Sequence, residues 1–474
     1  MRTNTGLPLS CILLFTSSVL WGQAAAVRRP VAPRICAACI RAHEDFLASD
    51  ALNGRGSATH DELVAATYIA SELEQYGVAP LGDDGGYLQH VPLERQKPAR
   101  APELAFHTSG AAGEQDLVWK HGAEMLLLQA GPAELNGPLQ KIQVGEPTPV
   151  EKGAFVLFVD HGGHRAGEGE VQRAITAGAV GVMVSETPRY RSHWDRIAQR
   201  LFSGELQLPQ AKARAAVLVV SSKAFEQLAQ TPDSTPMHLS EPMAEPETVP
   251  SWNVIGEIRG SDPLLQKKAV LFSAHLDHLG VGAPVNGDNI YNGADDDASG
   301  VTAVLELARV LGSRARPRRT VVFALFGSEE LGALGSKYFR EHPAVPLSEI
   351  AANLEFEMIG RPDKAVAPDQ LWLTGWERSN LGPALAAHGA KLVGDPHPKE
   401  DFFARSDNYE LAQKGVVAQT ISSYGLHADY HQPSDDIAHL DFKHMDAAIQ
   451  SLVGPVEWLV NSGFTPEWKP GGKP

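Results

Sequence analysis

Ala269-Val-Leu-Phe-Ser-Ala-His275-Leu-Asp277 opens the part of the chain from which the fold can be read. Its first six residues are small or apolar and lack the alternation of a half-exposed strand, so they read as a strand buried on both faces. Such strands belong to parallel sheets covered by helices. Val321-Val-Phe-Ala-Leu-Phe-Gly327, Ile350-Ala-Ala-Asn-Leu-Glu-Phe-Glu357 and Gly415-Val-Val-Ala-Gln-Thr-Ile421 carry the same signature. Between the first two lies Gly293-Ala-Asp-Asp-Asp-Ala-Ser-Gly300, an acidic turn of small residues. It feeds the helical pattern Val301, Val304, Leu305, Leu307, Ala308, Leu311. Strands alternating with helices predict an α/β fold with a mixed, mostly parallel central sheet flanked by helices.

Each buried run ends in, or leads to, a residue that can bind metal: His275, the Glu329-Glu330 pair, Glu357 and, after the last run, Tyr430-His431. In open α/β sheets the site lies at the carboxyl ends of the strands, where these donors fall. Imidazoles and carboxylates in these numbers suit two zinc ions and a general base. Zinc takes both donor types, and paired ions need one carboxylate between them. Asp296, central in the acidic turn, is the candidate bridge, while Asp295 and Asp297 could be turn and N-cap residues. Asp277 is placed to orient the His275 imidazole. Glu329 and Glu330, adjacent at a strand end, point different ways, so one can bind metal while its neighbour faces the water. Glu355 shares a face with Glu357 and is the alternative ligand there.

These segments resemble the di-zinc aminopeptidase family, which includes bacterial leucyl aminopeptidases and, more distantly, glutamate carboxypeptidase, glutaminyl cyclase and the transferrin receptor ectodomain. The resemblance spans roughly residues 40–92 and 250–462. It implies that His275 and Glu357 are terminal ligands of one zinc and Glu330 and His431 of the other, with Asp296 between them. It further implies that Glu329 is the general base, Asp277 a residue behind the ligands, and Tyr430 a stabiliser of the oxyanion. One position departs from the pattern: relatives commonly have aspartate where this chain reads Glu357-Met358-Ile359-Gly360. The implied activity is removal of N-terminal residues from peptides. A carboxypeptidase would need a basic cluster for the substrate carboxylate, for which Arg361, Arg378 and Arg405 are available. A glutaminyl cyclase would be a transferase, and a non-catalytic ectodomain should have lost ligands that this chain keeps.

The chain of 474 residues is long enough for two or three domains. Its formal charge of −16 argues against nucleic acid or an anionic membrane as partner; peptide substrates are what the resemblance implies. Arg2, the apolar stretch Leu9 to Leu20 and the small-residue site Gln23-Ala-Ala-Ala26 read as a secretory signal peptide over residues 1–26, too short for a membrane span. An exported, periplasmic or extracellular protein is expected, in which Cys36 and Cys39 can pair.

The peptidase-like part then runs over 27–96 and 251–464, interrupted at 97–250 by a β-rich segment. That segment resembles the protease-associated domain, on the stretch Ala177-Gly-Ala-Val-Gly-Val-Met-Val184. Its strands are expected at Phe155–Val159, Val180–Val184 and Ala215–Val220, and its His161, His164 and His193 as loop residues rather than ligands. Thr59-His-Asp-Glu62 predicts a capping box that opens a helix with Leu63, Ala66, Ala70 and Leu73 on one face. The Pro/Gly-rich tail, 465–474, is expected to be disordered.

Overall fold

The computed structural model describes Met1 and residues 34–110, 113–160, 166–209 and 215–474; the expected signal peptide, His161 and His164 lie outside them. The larger sheet contains strands β1 (Leu88–Gln96), β2 (Glu205–Gln207), β3 (Glu247–Ile258), β4 (Ala269–His275), β5 (Val321–Phe326), β6 (Ile350–Phe356), β7 (Leu371–Leu373), β8 (Leu392–Gly394) and β9 (Val417–Ser422). Their order is β8-β7-β9-β6-β4-β5-β3-β1-β2, and Ala79–Pro80 adds a short pairing to β3. Pairing is parallel from β9 through β6 and β4 to β5, and between β7 and β8. It is antiparallel on the β3-β1-β2 flank and between β7 and β9.

The unbroken apolar runs have a direct cause. Val270, Phe272 and Ala274 of β4 enter one core with Val301, Val304 and Leu305, while Ala269 and Leu271 enter the opposite core with Phe326 and Phe339. A strand covered on both faces has no polar side, and each large apolar side chain so buried contributes about 1.5–3 kcal/mol. Helices α1 (Ala37–Leu47), α2 (His60–Gln75), α3 (Gly300–Gly312) and α5 (Phe442–Asn461) pack on the first face and α4 (Leu334–Glu341) on the second.

Thr59 caps α2 by accepting from the Glu62 amide at 3.4 Å, and Gly77 follows the helix with φ +75°. Glu62 does not close the expected box. Its carboxylate is buried, accepting from the Ala58 amide, Ser251 and the Ser328 amide, so the buried face is Glu62, Ala65, Ala66, Ile69 and Leu73. Cys36 and Cys39 are joined by a disulfide at the start of α1.

The chain leaves the larger sheet at the end of β1, returns to its edge briefly in β2, and re-enters at the start of β3, where Arg95 and Glu247 face each other. Between them a second, eight-stranded sheet forms, with its own core of Leu104, Phe106, Trp119, Phe155, Leu157 and Leu218. Phe155–Val159, Gly181–Ser185 and Ala216–Val220 are strands there, and Glu168–Ala177 is a helix. His193 lies between two short helices, its Nδ1 hydrogen-bonded to the Arg189 carbonyl.

The tail departs from expectation. The Trp468 indole donates to the Gly415 carbonyl and meets Phe403 edge-on, and Asn380 donates to the Thr465 carbonyl. Proline and glycine excluded a regular element, but Trp468 and hydrogen bonds with Arg378 and Asn380 anchor the segment. Among the described residues no helix is long and apolar enough to cross a membrane.

Candidate active site

Parallel register sets His275 beside Phe326 and Phe356 beside Ile421, so the residues that follow these strands emerge along one edge of the sheet. The acidic turn enters that edge from the side and is fixed by its own flanking carboxylates. Asp297 accepts from the amides of Gly300 and Met358, both at 3.0 Å. Asp295 accepts from the Gly360 amide at 2.7 Å and meets His427 at 3.0 Å. The carboxylate of Asp435 accepts from the amides of Asp295 and Asp296. With its neighbours so engaged, Asp296 alone of the three turns its side chain into the cleft.

Two groups of potential ligands share it. His275 Nε2 lies 3.1 Å from Asp296 Oδ1, and Glu357 joins them. On the other side His431 Nε2 lies 3.3 Å from Asp296 Oδ2 and 3.2 Å from Glu330 Oε2. His278 belongs to this second group, with Nδ1 2.8 Å from Glu330 Oε1. Asp296 Oδ2, Glu330 Oε1, Glu357 Oε2 and both ring nitrogens of His278 are buried without a hydrogen-bond partner. Buried polar atoms are rarely left so. Carboxylates and imidazoles converging with unused lone pairs fit the binding of zinc-sized cations.

The electrostatics follow from this crowding. Burial alone would push Asp296 up, but His275, His431 and His278 hold it well below the usual range. Burial and Asp296 push Glu330 up, yet His278 and His431 bring it down to about 2. Burial disfavours a charged His431, but Asp296 and Glu330 raise it to about 10. Glu357, buried beside Glu355, is pushed up to about 8. Burial, with Asp407, Glu357 and Glu330 near, lifts Glu329 well above a normal glutamate despite His275. The histidines favour the ionised forms of Asp296 and Glu330, while burial and neighbouring carboxylates favour the protonated forms of Glu329 and Glu357.

Asp277 acts differently from expectation. It is the Asp277 carbonyl that meets His275 Nδ1, at 3.2 Å, while its carboxylate lies 3.8 Å from that nitrogen. The carboxylate accepts instead from Ser57 Oγ at 2.5 Å and from the amides of Glu329 at 3.0 Å and Glu330 at 3.3 Å. It therefore fixes the backbone of both glutamates. The Glu329 side chain, by contrast, makes no hydrogen bond with the described residues. Glu355 is saturated by Ser406, Thr420 and the amides of Asp407 and Asn408, which removes it as a ligand.

Beside the first group a pocket is lined by Glu357, Met358, Trp372, Phe402, Tyr424 and Tyr430, with Arg405 on its wall. Tyr430 stacks on His431 at 3.8 Å between ring centroids, and burial raises its pKa, so it stays a neutral phenol able to donate.

His275, Asp296, Glu330, Glu357 and His431 thus meet in one cleft with Glu329 and Tyr430. Sequence reasoning missed His278, although it stands in the same His-Leu-Asp-His stretch; no periodicity predicts the direction of a residue beyond a strand. It also missed Asp435 and the buried Arg55. The Arg55 guanidinium donates to the carbonyls of Leu47, Leu276, Asn292 and Gly293 and so ties the N-terminal segment to the loops of the cleft.

The model of peptidase family M28 matches residues 253–454. Over 218 residues the chain is 29% identical to a probable leucine aminopeptidase 2 of Aspergillus oryzae, covering 40% of this chain and 41% of that one. It is 36% identical over 135 residues to an aminopeptidase of Pseudomonas aeruginosa, covering 28% and 22%. The chain therefore spans less than half the length of these curated relatives. Among solved structures, an aminopeptidase from Aneurinibacillus sp. strain AM-1 superposes with a TM-score of 0.55 at 18% identity, covering 91% of this chain and 96% of that one. A zinc aminopeptidase from Bacillus subtilis gives 0.50 at 19%, covering 91% and 97%. At these identities the likeness is one of fold.

Proposed function

We propose that the chain, whose residues 253–454 match the model of peptidase family M28, is an exported zinc aminopeptidase that hydrolyses N-terminal residues from peptides. The observation that carries this reading is the convergence of two donor groups on the two oxygens of Asp296. His275 and Glu357 would hold one zinc and Glu330 and His431 the other, with Asp296 serving both. Zinc in these positions supplies Lewis-acid polarisation and a more acidic water.

The protein's own groups account for the rest. Glu329, anchored through its amide and free at its carboxylate, takes the proton of the attacking water and returns it to the departing amine. Tyr430 donates a hydrogen bond to the oxyanion. The aromatic and methionine pocket beside Glu357 receives the side chain of the N-terminal residue. Residues 97–250 serve as an inserted protease-associated domain that shapes access and supplies no ligand. The Cys36–Cys39 disulfide supports an oxidising destination.

A second reading has one observation in its favour. Arg405 lines the pocket and could meet a substrate carboxylate, as a glutamate-releasing carboxypeptidase requires. Purified protein assayed on matched free and N-acetylated aminoacyl and dipeptide substrates separates the two. Cleavage of free substrates only, abolished by chelation, is expected; cleavage of N-acetylated dipeptides with release of the C-terminal residue would overturn the aminopeptidase reading.

A further inference from the structure

His278 is the residue in the cleft that neither the sequence pattern nor the proposed ligand set uses. It follows β4, is fully buried, and is fixed at its backbone: its amide donates to the Arg55 carbonyl at 3.1 Å and its carbonyl accepts from Ser57 at 3.2 Å. The ring is held as tightly. Gly293, at φ +61°, lies against it so closely that a Cβ there would stand 2.5 Å from the imidazole Cγ. The imidazole is thereby presented to Glu330 Oε1 at 2.8 Å and Asp296 Oδ2 at 3.9 Å. The first approach is short enough for a hydrogen bond but is not aligned as one. Both ring nitrogens and both of these carboxylate oxygens are without hydrogen-bond partners. An imidazole locked in place, fully desolvated and facing two unsatisfied carboxylate oxygens has the geometry of a ligand beside other ligands, with a cation as their common partner.

We propose that His278 is a ligand of the ion held by Glu330, so that this ion receives imidazole from both His431 and His278 while its neighbour receives it from His275 alone. The two metal positions are then chemically unequal, and the second is richer in nitrogen donors. The proposal rests on the zinc-peptidase reading above.

The test uses the full chain stripped by chelation and titrated with zinc against a chromophoric competitor, with cobalt(II) absorption as a second readout. His278→Ala is expected to weaken one of the two ions by more than about 100-fold, beyond the 10–100-fold typical of a residue that only supports a ligand. The other ion should keep its affinity, which also shows that the variant is folded. The cobalt spectrum of the weakened position should change. His278→Gln, which can still donate a hydrogen bond to Glu330, should fare no better than alanine. A smaller loss, or recovery in the glutamine variant, would make His278 a positioning residue for Glu330 and overturn the proposal. Unmodified protein that binds fewer than two zinc ions would overturn the two-zinc reading itself, and this proposal with it.

Discussion

The two sheets of this protein use the same side chains to opposite ends. In the second sheet, histidines meet acids across neighbouring strands at the surface: His107 with Asp116 at 2.9 Å and His238 with Glu134 at 2.7 Å. Each pair is complete in itself and open to water. At the edge of the larger sheet, three histidines meet Asp296 and Glu330 in a buried cleft, and several of their polar atoms remain unpaired. Among the described residues, groups able to hold a metal occur only there. The strands that carry the two surface pairs are antiparallel neighbours, which present cross-strand pairs one at a time, whereas the parallel strands of the larger sheet end together and gather donors from distant parts of the chain.

The largest effect that would break this contrast falls on Glu329. Glu329→Gln should cut turnover by about 10²–10⁴-fold while both zinc ions stay bound, whereas Glu330→Gln should weaken one ion. Steady-state kinetics beside metal analysis decides it; near-normal turnover in Glu329→Gln, or metal loss that follows Glu329, would end the assignment of roles. Next in size is Arg55→Met, which strips the donor from buried carbonyls at Leu47, Leu276, Asn292 and Gly293. Each buried acceptor left unpaired costs about 1–3 kcal/mol, so denaturant unfolding should show a loss of at least about 3 kcal/mol.

A smaller effect sharpens the comparison from the other side. Glu241, which accepts from the Gly131 amide beside the second sheet, is raised by burial to about 7. In the folded protein it therefore holds its proton from about pH 4.5 to 7 while the unfolded chain releases it. Stability should fall with rising pH across that window and then level off. In Glu241→Gln this slope should shrink, so that the variant gains more in Tm over the parent at pH 8 than at pH 5; an equal gain at both would contradict the assignment. The smallest effect belongs to the surface pairs. Replacing His107 and His238 together with alanine should leave zinc content and turnover unchanged, and metal loss in that variant would erase the distinction between the sheets.

The residues that decide the fold and most of the cleft are local in the sequence. Runs of small and apolar residues at 269–274 and 321–326 announce strands covered on both faces, and strand ends announce where donors will collect. His275, Asp296, the Glu329-Glu330 pair, Glu357 and His431 could therefore be singled out as candidates from the sequence, while the choice of Glu330 over Glu329 as ligand came from the family resemblance. Tertiary structure decided what depends on contacts between segments that are not neighbours in the sequence. Asp277 spends its carboxylate on the amides of Glu329 and Glu330, and Glu355 is consumed by Ser406, Thr420 and two amides. Trp468 orders a tail whose composition reads as disorder. His278 turns into the cleft because Gly293 leaves room for its ring. Periodicity reports which face of an element is buried, since that is a property of neighbouring residues. Which lone pair remains free is settled only when every other donor in the fold has found its acceptor.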